Sequence, residues 1–200
     1  MGENGAAAER QRAARRVGGI RALLVPDLWV DNPDAIDLQA LVRRGIRCLL
    51  VDVDNTLTPW GEPVAEQAHR FVERARRAGL AVAILSNARR HRRAAAAAAL
   101  GVPAAGRAFK PLPRFFVNAA KMMGCTPGEV AVVGDQLWTD ILGGKLAGMY
   151  TILVDPLRDR DHPFTRIWRV GERAVLRWMG RRGLLPADRV QARLRRRRGD

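Results

Sequence analysis

The sequence has few cysteines and no long apolar run. Its 200 residues include two cysteines, Cys48 and Cys125, which do not form the paired spacing of a zinc site. No stretch reaches the roughly 18 apolar residues that a membrane-spanning helix needs. No apolar segment of a secretory signal follows the N-terminal arginines. We therefore expect an intracellular, cytoplasmic protein, with any membrane contact peripheral and on the inner face of the cell membrane.

The charge of the chain is strongly basic and unevenly placed. The formal net charge is +15, and residues 166–200 contain twelve arginines and three acidic residues, which is +9 of that total. A patch this basic suggests a polyanionic partner, either an anionic membrane surface or nucleic acid. The alternative is an arginine-rich surface that is simply solvated.

Apolar runs alternate with amphipathic segments along the chain. We predict strands over residues 46–53, 80–85, 107–109, 130–133 and 150–154. We predict helices over residues 34–44, 63–78, 89–100, 113–123 and 140–147. This alternation indicates an α/β fold, with helices covering a central parallel sheet. We divide the chain into a flexible tail (1–16), a core domain (17–165) and a basic amphipathic C-terminal extension (166–200).

Chemically capable side chains follow four of these predicted strands. An aspartate after one strand is usually a turn residue or a helix cap. Four such strand ends are hard to explain in that way, and parallel strands gather ligands beyond their carboxyl ends. We therefore expect one site, and its candidate side chains are Asp52, Asp54, Ser86, Asn87, Lys110, Asp135 and Asp140.

These residue types indicate phosphoryl chemistry. Carboxylates that meet at one point need a cation, and oxygen ligands favour Mg²⁺, which usually pairs with a substrate phosphate. Lys110 and Ser86 could hold the oxygens of a phosphoryl group. Asp52 is then a candidate nucleophile that forms an aspartyl-phosphate, and Asp54 a candidate acid and base.

At this point the motifs resemble those of the haloacid dehalogenase-like (HAD) superfamily. The resemblance rests on Asp52-x-Asp54-x-Thr56, Ser86, Lys110 and Gly134-Asp135 followed by Asp140. It implies a HAD-like Rossmannoid three-layer sandwich. It also implies that Mg²⁺ binds Asp52, the backbone carbonyl of Asp54 and Asp135, with Asp140 acting indirectly. The phosphate would be bound or supported by Thr56, Ser86, Asn87 and Lys110.

A closer resemblance is to the YqeG-type group of HAD subfamily IIIA. Residues 52–57 with Trp60, residues 109–111 and residues 134–141 carry it, and it extends over roughly residues 23–178. Ala88 departs from the pattern, where a second asparagine is expected. Eukaryotic relatives of this group dephosphorylate phosphatidylglycerophosphate, which implies a phospholipid as substrate and a phosphatase at the membrane surface.

The spacing of the motifs leaves no room for a cap domain. Only a few residues separate Thr56 from the helix predicted at residue 63, and Lys110 follows Asn87 by 23 positions. An open site excludes water poorly. It therefore suits a substrate that brings its own bulk, such as a lipid head group, a protein or a nucleic acid end.

Two basic segments have two interpretations each. On a helix over residues 166–181, arginines form a stripe opposite Ile167, Trp168, Val175, Trp178 and Met179. That face could lie in a membrane interface or pack on the core. The arginines at 89, 90, 92 and 93 could form a cationic rim around the site or a solvated helix start. Residues 195–198 are expected to be disordered.

Two other functions remain open from the sequence. One is a general phosphatase for nucleotides or sugar phosphates. The other is a ribosome- or RNA-associated protein that retains a vestigial site. No aromatic motif for stacking on RNA bases supports the second.

Overall fold

The computed structural model describes residues 19–106, 108–158 and 166–196. The predicted tail at residues 1–16 and residues 197 and 198 lie outside this range. Five strands form one sheet: β1 (Leu28–Val30), β2 (Cys48–Val51), β3 (Ala81–Ile84), β4 (Val130–Gly134) and β5 (Tyr150–Val154). All neighbours pair in parallel, in the order β1-β5-β4-β2-β3.

Eight α-helices occur in the described residues, together with short 3₁₀- and π-helical segments. The α-helices are α1 (Gly19–Ala22), α2 (Leu38–Arg43), α3 (Glu66–Arg77), α4 (Arg90–Leu100), α5 (Pro113–Met122), α6 (Leu142–Leu146), α7 (Arg166–Arg181) and α8 (Ala187–Arg196). The additional turns are 3₁₀-helical at Pro33–Ala35 and Pro127–Glu129, and π-helical at Leu137–Ile141.

Local sequence explains why these elements form where they do. All four residues of β2 and all five of β4 are buried, as expected for strands covered on both faces. Helix α3 buries an apolar stripe that includes Phe71 and Val72. Helix α5 begins at Pro113, whose missing N–H costs nothing in a first turn. Gly101 ends α4 with a φ of 61°, in the left-handed region that favours glycine.

The core has three layers, as predicted. Alternate strand residues such as Leu49 and Val51 pack with α2, α3 and α4 on one face. The intervening residues, such as Leu50, pack with α5 on the other face. Beside them on that face, β5, α6 and the two C-terminal helices share a third apolar cluster. The predicted α/β sandwich with a central parallel sheet is therefore confirmed.

The apolar face of helix α7 packs on the core. Leu176 and Met179 are buried, and Val175 and Trp178 are partly buried against the same cluster. For these residues the structure matches the core-packing interpretation of the basic helix. The side chains at 167 and 168 lie outside the described residues. The division of the chain at residue 165 stays a prediction.

The secondary structure differs from the sequence prediction in four places. The helix predicted over residues 34–44 is interrupted, because Ile36 and Asp37 are extended between the 3₁₀ turn and α2. Residues 108 and 109 are not in a strand, and residue 107 lies outside the description; instead Ala104 forms a single bridge to Ile84. Strand β1 was not predicted, because three residues show no periodicity and its pairing partner β5 is distant in sequence. Residues 195 and 196 belong to α8 rather than to a disordered tail. Among the helices described, none is long and apolar enough to cross a membrane.

Candidate active site

The candidate site lies above strand β2, where the strand order reverses. The chain passes from β2 to β3 on one side and then crosses to β4 on the other. Such a reversal opens a crevice at the carboxyl ends of the strands. Val51 pairs with Val133, and the Asp52 backbone N–H donates to the Val133 carbonyl at 3.0 Å. This register places Asp52 beside the end of β4, where Asp135 follows.

Three buried carboxylates meet at this point. Asp52, Asp135 and Asp140 are each buried, and one oxygen from each lies within 4.8 Å of the others. Burial of three negative charges at one point is costly unless positive charge is supplied. The sequence predicted this meeting, although Asp52 and Asp135 are 83 positions apart in the chain.

Lys110 supplies positive charge to two of these acids. Its buried Nζ lies 2.9 Å from Asp52 Oδ1 and 2.5 Å from Asp140 Oδ1. Burial acts to lower the pKa of Lys110, but Asp140 and Asp52 together outweigh it, so the pKa is raised above its usual value. Burial raises the pKa of Asp140 to about 6, which Lys110 opposes and Asp52 reinforces.

The donor set fits a divalent cation. Lys110 brings one positive charge to three negative ones, and a divalent cation would bring the other two. All three acids offer oxygen ligands, which are the ligands that Mg²⁺ and Ca²⁺ take in proteins. The three acids could therefore bind a metal ion.

Gly134 allows Asp140 to approach the end of β4. A Cβ atom at residue 134 would lie 2.2 Å from the Asp140 Cγ atom, far inside contact distance. The Asp140 Oδ2 atom accepts from the Gln136 backbone N–H at 3.2 Å, which fixes the carboxylate across the turn. The glycine and the two aspartates of this segment therefore form one geometric unit.

Asp54 lies apart from the three-acid cluster and contacts an arginine. The Arg92 Nε donates to Asp54 Oδ1 at 2.7 Å. The same guanidinium donates to the backbone carbonyl of Glu62 at 2.9 Å and to that of Pro59 at 3.4 Å. Burial raises the pKa of Asp54, and the hydrogen bond and charge of Arg92 oppose the rise. Arg92 thus holds both the Asp54 side chain and the following loop.

Asn55 shapes the loop between Asp54 and Trp60. Its φ is 60°, a left-handed conformation that asparagine adopts more readily than most residues. Its backbone N–H donates to the Thr58 carbonyl at 2.7 Å, and its Oδ1 accepts from the Trp60 backbone N–H at 3.3 Å. The sequence motif around residue 55 is therefore a turn that brings Thr56 back over the strand end.

The structure places the predicted phosphate-binding residues around the same point. Thr56 Oγ1 lies 3.4 Å from Asp135 Oδ1. Ser86 is buried, and its Oγ accepts from the Ala88 backbone N–H at 3.2 Å. Asn87 differs, because its side chain is used to hold the loop that carries Lys110. It donates to the Lys110 carbonyl at 3.3 Å and accepts from the Lys110 N–H at 2.9 Å.

The four arginines at the start of α4 do not act alike. Arg89 and Arg90 are exposed, as in a cationic rim. Arg92 is largely buried against Asp54, and Arg93 is buried with its guanidinium donating to the Ala88 carbonyl. Local sequence does not separate these roles, because all four arginines lie within five consecutive positions.

Arg193 was not predicted, although it reaches the site from the C-terminal helix α8. Its buried guanidinium donates to the carbonyl of Asp135, to the carbonyl of Val154, to Asp155 at 3.0 Å and to Glu172 at 3.0 Å. The Trp29 ring lies 5.7 Å from it. In a run of many arginines, no local pattern separates this buried one from its solvated neighbours.

No cap domain interrupts the described loops around the site. Residues 55–65 contain turns and one isolated bridge from Thr58 to Asp54. Between residues 85 and 112, with residue 107 left out of the description, α4 is the helix found. This agrees with the predicted open architecture.

Comparisons with known proteins agree with the fold and the site. The family model for haloacid dehalogenase-like hydrolases matches residues 66–148. The chain is 34% identical to the "Probable phosphatase YqeG" of Bacillus subtilis, over 82% of this chain and 96% of that protein. The chain belongs to the haloacid dehalogenase-like hydrolases and, within them, to the group of the YqeG phosphatase. It is a phosphatase of that family, as its motifs predicted.

Two further relatives carry a more specific description. "Phosphatidylglycerophosphate phosphatase 1, chloroplastic/mitochondrial" of Arabidopsis thaliana is 31% identical over 84% of this chain and 51% of that protein. "Phosphatidylglycerophosphate phosphatase 1, chloroplastic" of Chlamydomonas reinhardtii is 31% identical over 80% of this chain and 64% of that protein. The chain thus spans about half to two thirds of the length of these two relatives.

Proposed function

We propose that the chain is a Mg²⁺-dependent phosphomonoesterase that converts phosphatidylglycerophosphate to phosphatidylglycerol at a membrane surface. The observation that carries the proposal is the buried cluster of Asp52, Asp135 and Asp140 with the Lys110 Nζ at 2.9 and 2.5 Å from two of them. The names of the plant and algal relatives suggest the lipid. No cap domain covers the described loops beside the cluster, which suits a substrate with a large diacyl group.

In this proposal the metal ion is bound by Asp52, Asp135 and the backbone carbonyl of Asp54. Asp140 binds the metal indirectly or orients Asp135. Their all-oxygen chemistry favours Mg²⁺ over softer metals. When bound, Mg²⁺ would neutralise charge on the phosphoryl oxygens. Lys110 holds Asp140 and Asp52 in place and presents a positive charge to the same oxygens.

Asp52 is the nucleophile in the first step. One of its carboxylate oxygens attacks the phosphorus atom, and the bond from phosphorus to the glycerol oxygen breaks. Asp54 gives a proton to the departing oxygen, which leaves as the alcohol. Arg92 keeps the Asp54 carboxylate in a fixed position 2.7 Å from its own Nε.

Water completes the reaction in the second step. Asp54, now a carboxylate, takes a proton from the water molecule that attacks the phosphorus of the aspartyl-phosphate. The acyl–phosphate bond breaks, inorganic phosphate leaves and Asp52 is regenerated. Thr56, Ser86 and Lys110 support the phosphoryl oxygens through both steps, while Asn87 fixes the backbone of Lys110.

Phosphate release from phosphatidylglycerophosphate in mixed micelles tests the proposal. We expect Mg²⁺-dependent release by the native protein and none above background by Asp52→Asn. Asp37→Asn is the matched control, because Asp37 is an exposed cap of α2 that pairs with Arg43 and with none of the site residues. Absence of lipid hydrolysis together with rapid hydrolysis of nucleotides or sugar phosphates would replace this proposal with the general phosphatase.

A further inference from the structure

Large apolar side chains are exposed in the loops that surround the candidate site. Trp60, Phe109 and Leu112 are 42%, 44% and 46% exposed. Trp60 lies in the loop after β2, and the other two flank the segment that carries the buried Lys110. Exposed apolar groups of this size at one edge of a domain indicate an interaction surface.

Exposed arginines lie beside these apolar groups. Arg89 and Arg90 open helix α4, and Arg114 is in the first turn of α5. The Arg114 guanidinium lies 4.8 Å from the centre of the Phe115 ring, whose centre is 5.4 Å from that of Phe109. We call the set of Trp60, Arg89, Arg90, Phe109, Leu112 and Arg114 the basic–aromatic rim.

Hydrogen bonds join the loops of the rim to one another. Arg92 links the start of α4 to the carbonyls of Pro59 and Glu62, beside Trp60. Asn87 links the loop before α4 to the backbone of Lys110, between Phe109 and Leu112. The Leu112 N–H donates to the Phe109 carbonyl at 2.9 Å, which closes the turn that bears both side chains. The rim is therefore held as one surface rather than as independent loops.

We infer that the basic–aromatic rim is the surface by which the protein docks on an anionic lipid bilayer, with the candidate site facing the head groups. The inference rests on the proposed lipid substrate and identifies the surface that meets it. Aromatic side chains prefer the interfacial region of a bilayer, and arginines are attracted to anionic head groups. Helix α7 is the other membrane surface that the sequence suggested, as an alternative to core packing, but its apolar residue Met179 is buried in the core.

The opposite edge of the sheet provides a matched control. Val42, Met122 and Leu146 are 38%, 49% and 47% exposed, so they present a similar amount of apolar surface. Each lies at or near the end of a helix that leads into the amino end of a strand, away from the candidate site. Arg43 and Lys121 are exposed charges on two of these helix ends, and Arg77 is exposed at the end of α3, which leads into the amino end of β3.

The test is sedimentation with vesicles of phosphatidylcholine, with and without phosphatidylserine. All variants carry Asp52→Asn and the vesicles contain no phosphorylated substrate, so binding is measured apart from hydrolysis. We expect preferential binding to the anionic vesicles. Trp60→Ser with Phe109→Ser and Leu112→Ser should weaken it about tenfold or more, because their interfacial contact is lost. Val42→Ser with Met122→Ser and Leu146→Ser should change it by less than about twofold.

A charge series keeps the test valid if the apolar variant unfolds. Arg89→Gln with Arg90→Gln and Arg114→Gln should weaken binding by about a hundredfold, from about fivefold for each charge near the surface. Arg43→Gln with Arg77→Gln and Lys121→Gln removes the same net charge and should weaken it by less than about fivefold. Circular dichroism verifies the fold of each variant.

Three results would overturn the inference. They are equal binding to neutral and anionic vesicles, equal losses in the rim and control series, or RNA binding that depends on the rim without vesicle binding. Vesicle binding through the rim with no hydrolysis of phosphatidylglycerophosphate would leave the inference standing and refute the proposed substrate. Hydrolysis of that lipid in micelles by a protein that does not bind vesicles would refute the inference and support the proposed substrate.

Discussion

Replacement of Arg193 by methionine should destabilise the protein strongly. Arg193 is 1% exposed, and its guanidinium pairs with Asp155 and Glu172, each at 3.0 Å. Methionine fills a similar volume but leaves two buried carboxylates that have lost their arginine. Breaking a buried ion pair by removal of one partner costs about 3–5 kcal/mol. For a chain of this size, each kcal/mol lowers the melting temperature by about 2–4 °C.

Arg189→Met is the matched control for this prediction. Arg189 lies one turn earlier on helix α8, and it pairs with Asp31 at 3.3 Å in a setting that is partly exposed to solvent. Its loss should cost about 1 kcal/mol or less. Urea unfolding followed by circular dichroism gives both values. Equal losses for Arg193→Met and Arg189→Met would refute the idea that the buried network holds α8 on the core.

A double substitution tests the cause of the loss. If uncompensated charge destabilises Arg193→Met, then adding Glu172→Met should restore part of the stability, because apolar groups can replace a buried ionic network at little cost. Glu172→Gln alone should be milder than Arg193→Met, since Arg193 still pairs with Asp155. A double substitution that is less stable than Arg193→Met would show that packing, rather than charge, dominates this region.

Three further perturbations test the site and the core. Gly134→Ala places a Cβ 2.2 Å from the Asp140 Cγ, so we expect a loss of about 1–3 kcal/mol in urea unfolding together with reduced phosphatase activity; unchanged activity would contradict the geometry. Lys110→Met should lower kcat with Mg²⁺ and a small phosphate ester by about a hundredfold or more, because the positive charge that Lys110 places beside Asp52 is removed. Retained activity would contradict the role of Lys110. Burial raises the pKa of the Cys48 thiol to about 12, so this thiol stays neutral up to alkaline pH. Both buried cysteines should react with Ellman's reagent at pH 8 only after unfolding. Rapid labelling of the folded protein would contradict this prediction.

The sequence predicted the centre of the fold well, because fully buried strands have a simple signature. The four apolar runs that became β2, β3, β4 and β5 are each bounded by turn residues, and each is paired on at least one side. The polar residues at their ends could be placed together before any coordinates, since parallel strands all end at the same edge. The meeting of Asp52, Asp135 and Asp140 followed from that rule alone.

The errors fall where a residue's role depends on a distant partner. Ladder contacts with β3 occur at residues 103–105, several positions before the predicted strand, because the chain meets Ile84 there and turns away at Gly106. Arg92 and Arg193 are ordinary arginines by local pattern. Only the folded chain brings them to Asp54 and to the Asp135 carbonyl. Propensity and periodicity carry no information about such contacts.

The contact between Arg193 and the Asp135 carbonyl has a consequence for synthesis of the protein on the ribosome. Strands β2 to β5 emerge well before helix α8, so the sheet can begin to form while residue 193 is still within the exit tunnel. During that interval Asp155 and Glu172 lack the guanidinium that neutralises them in the finished fold. Helix α8 is made after all five strands, and it therefore completes the environment of the Asp135 carbonyl only once residue 193 has left the tunnel.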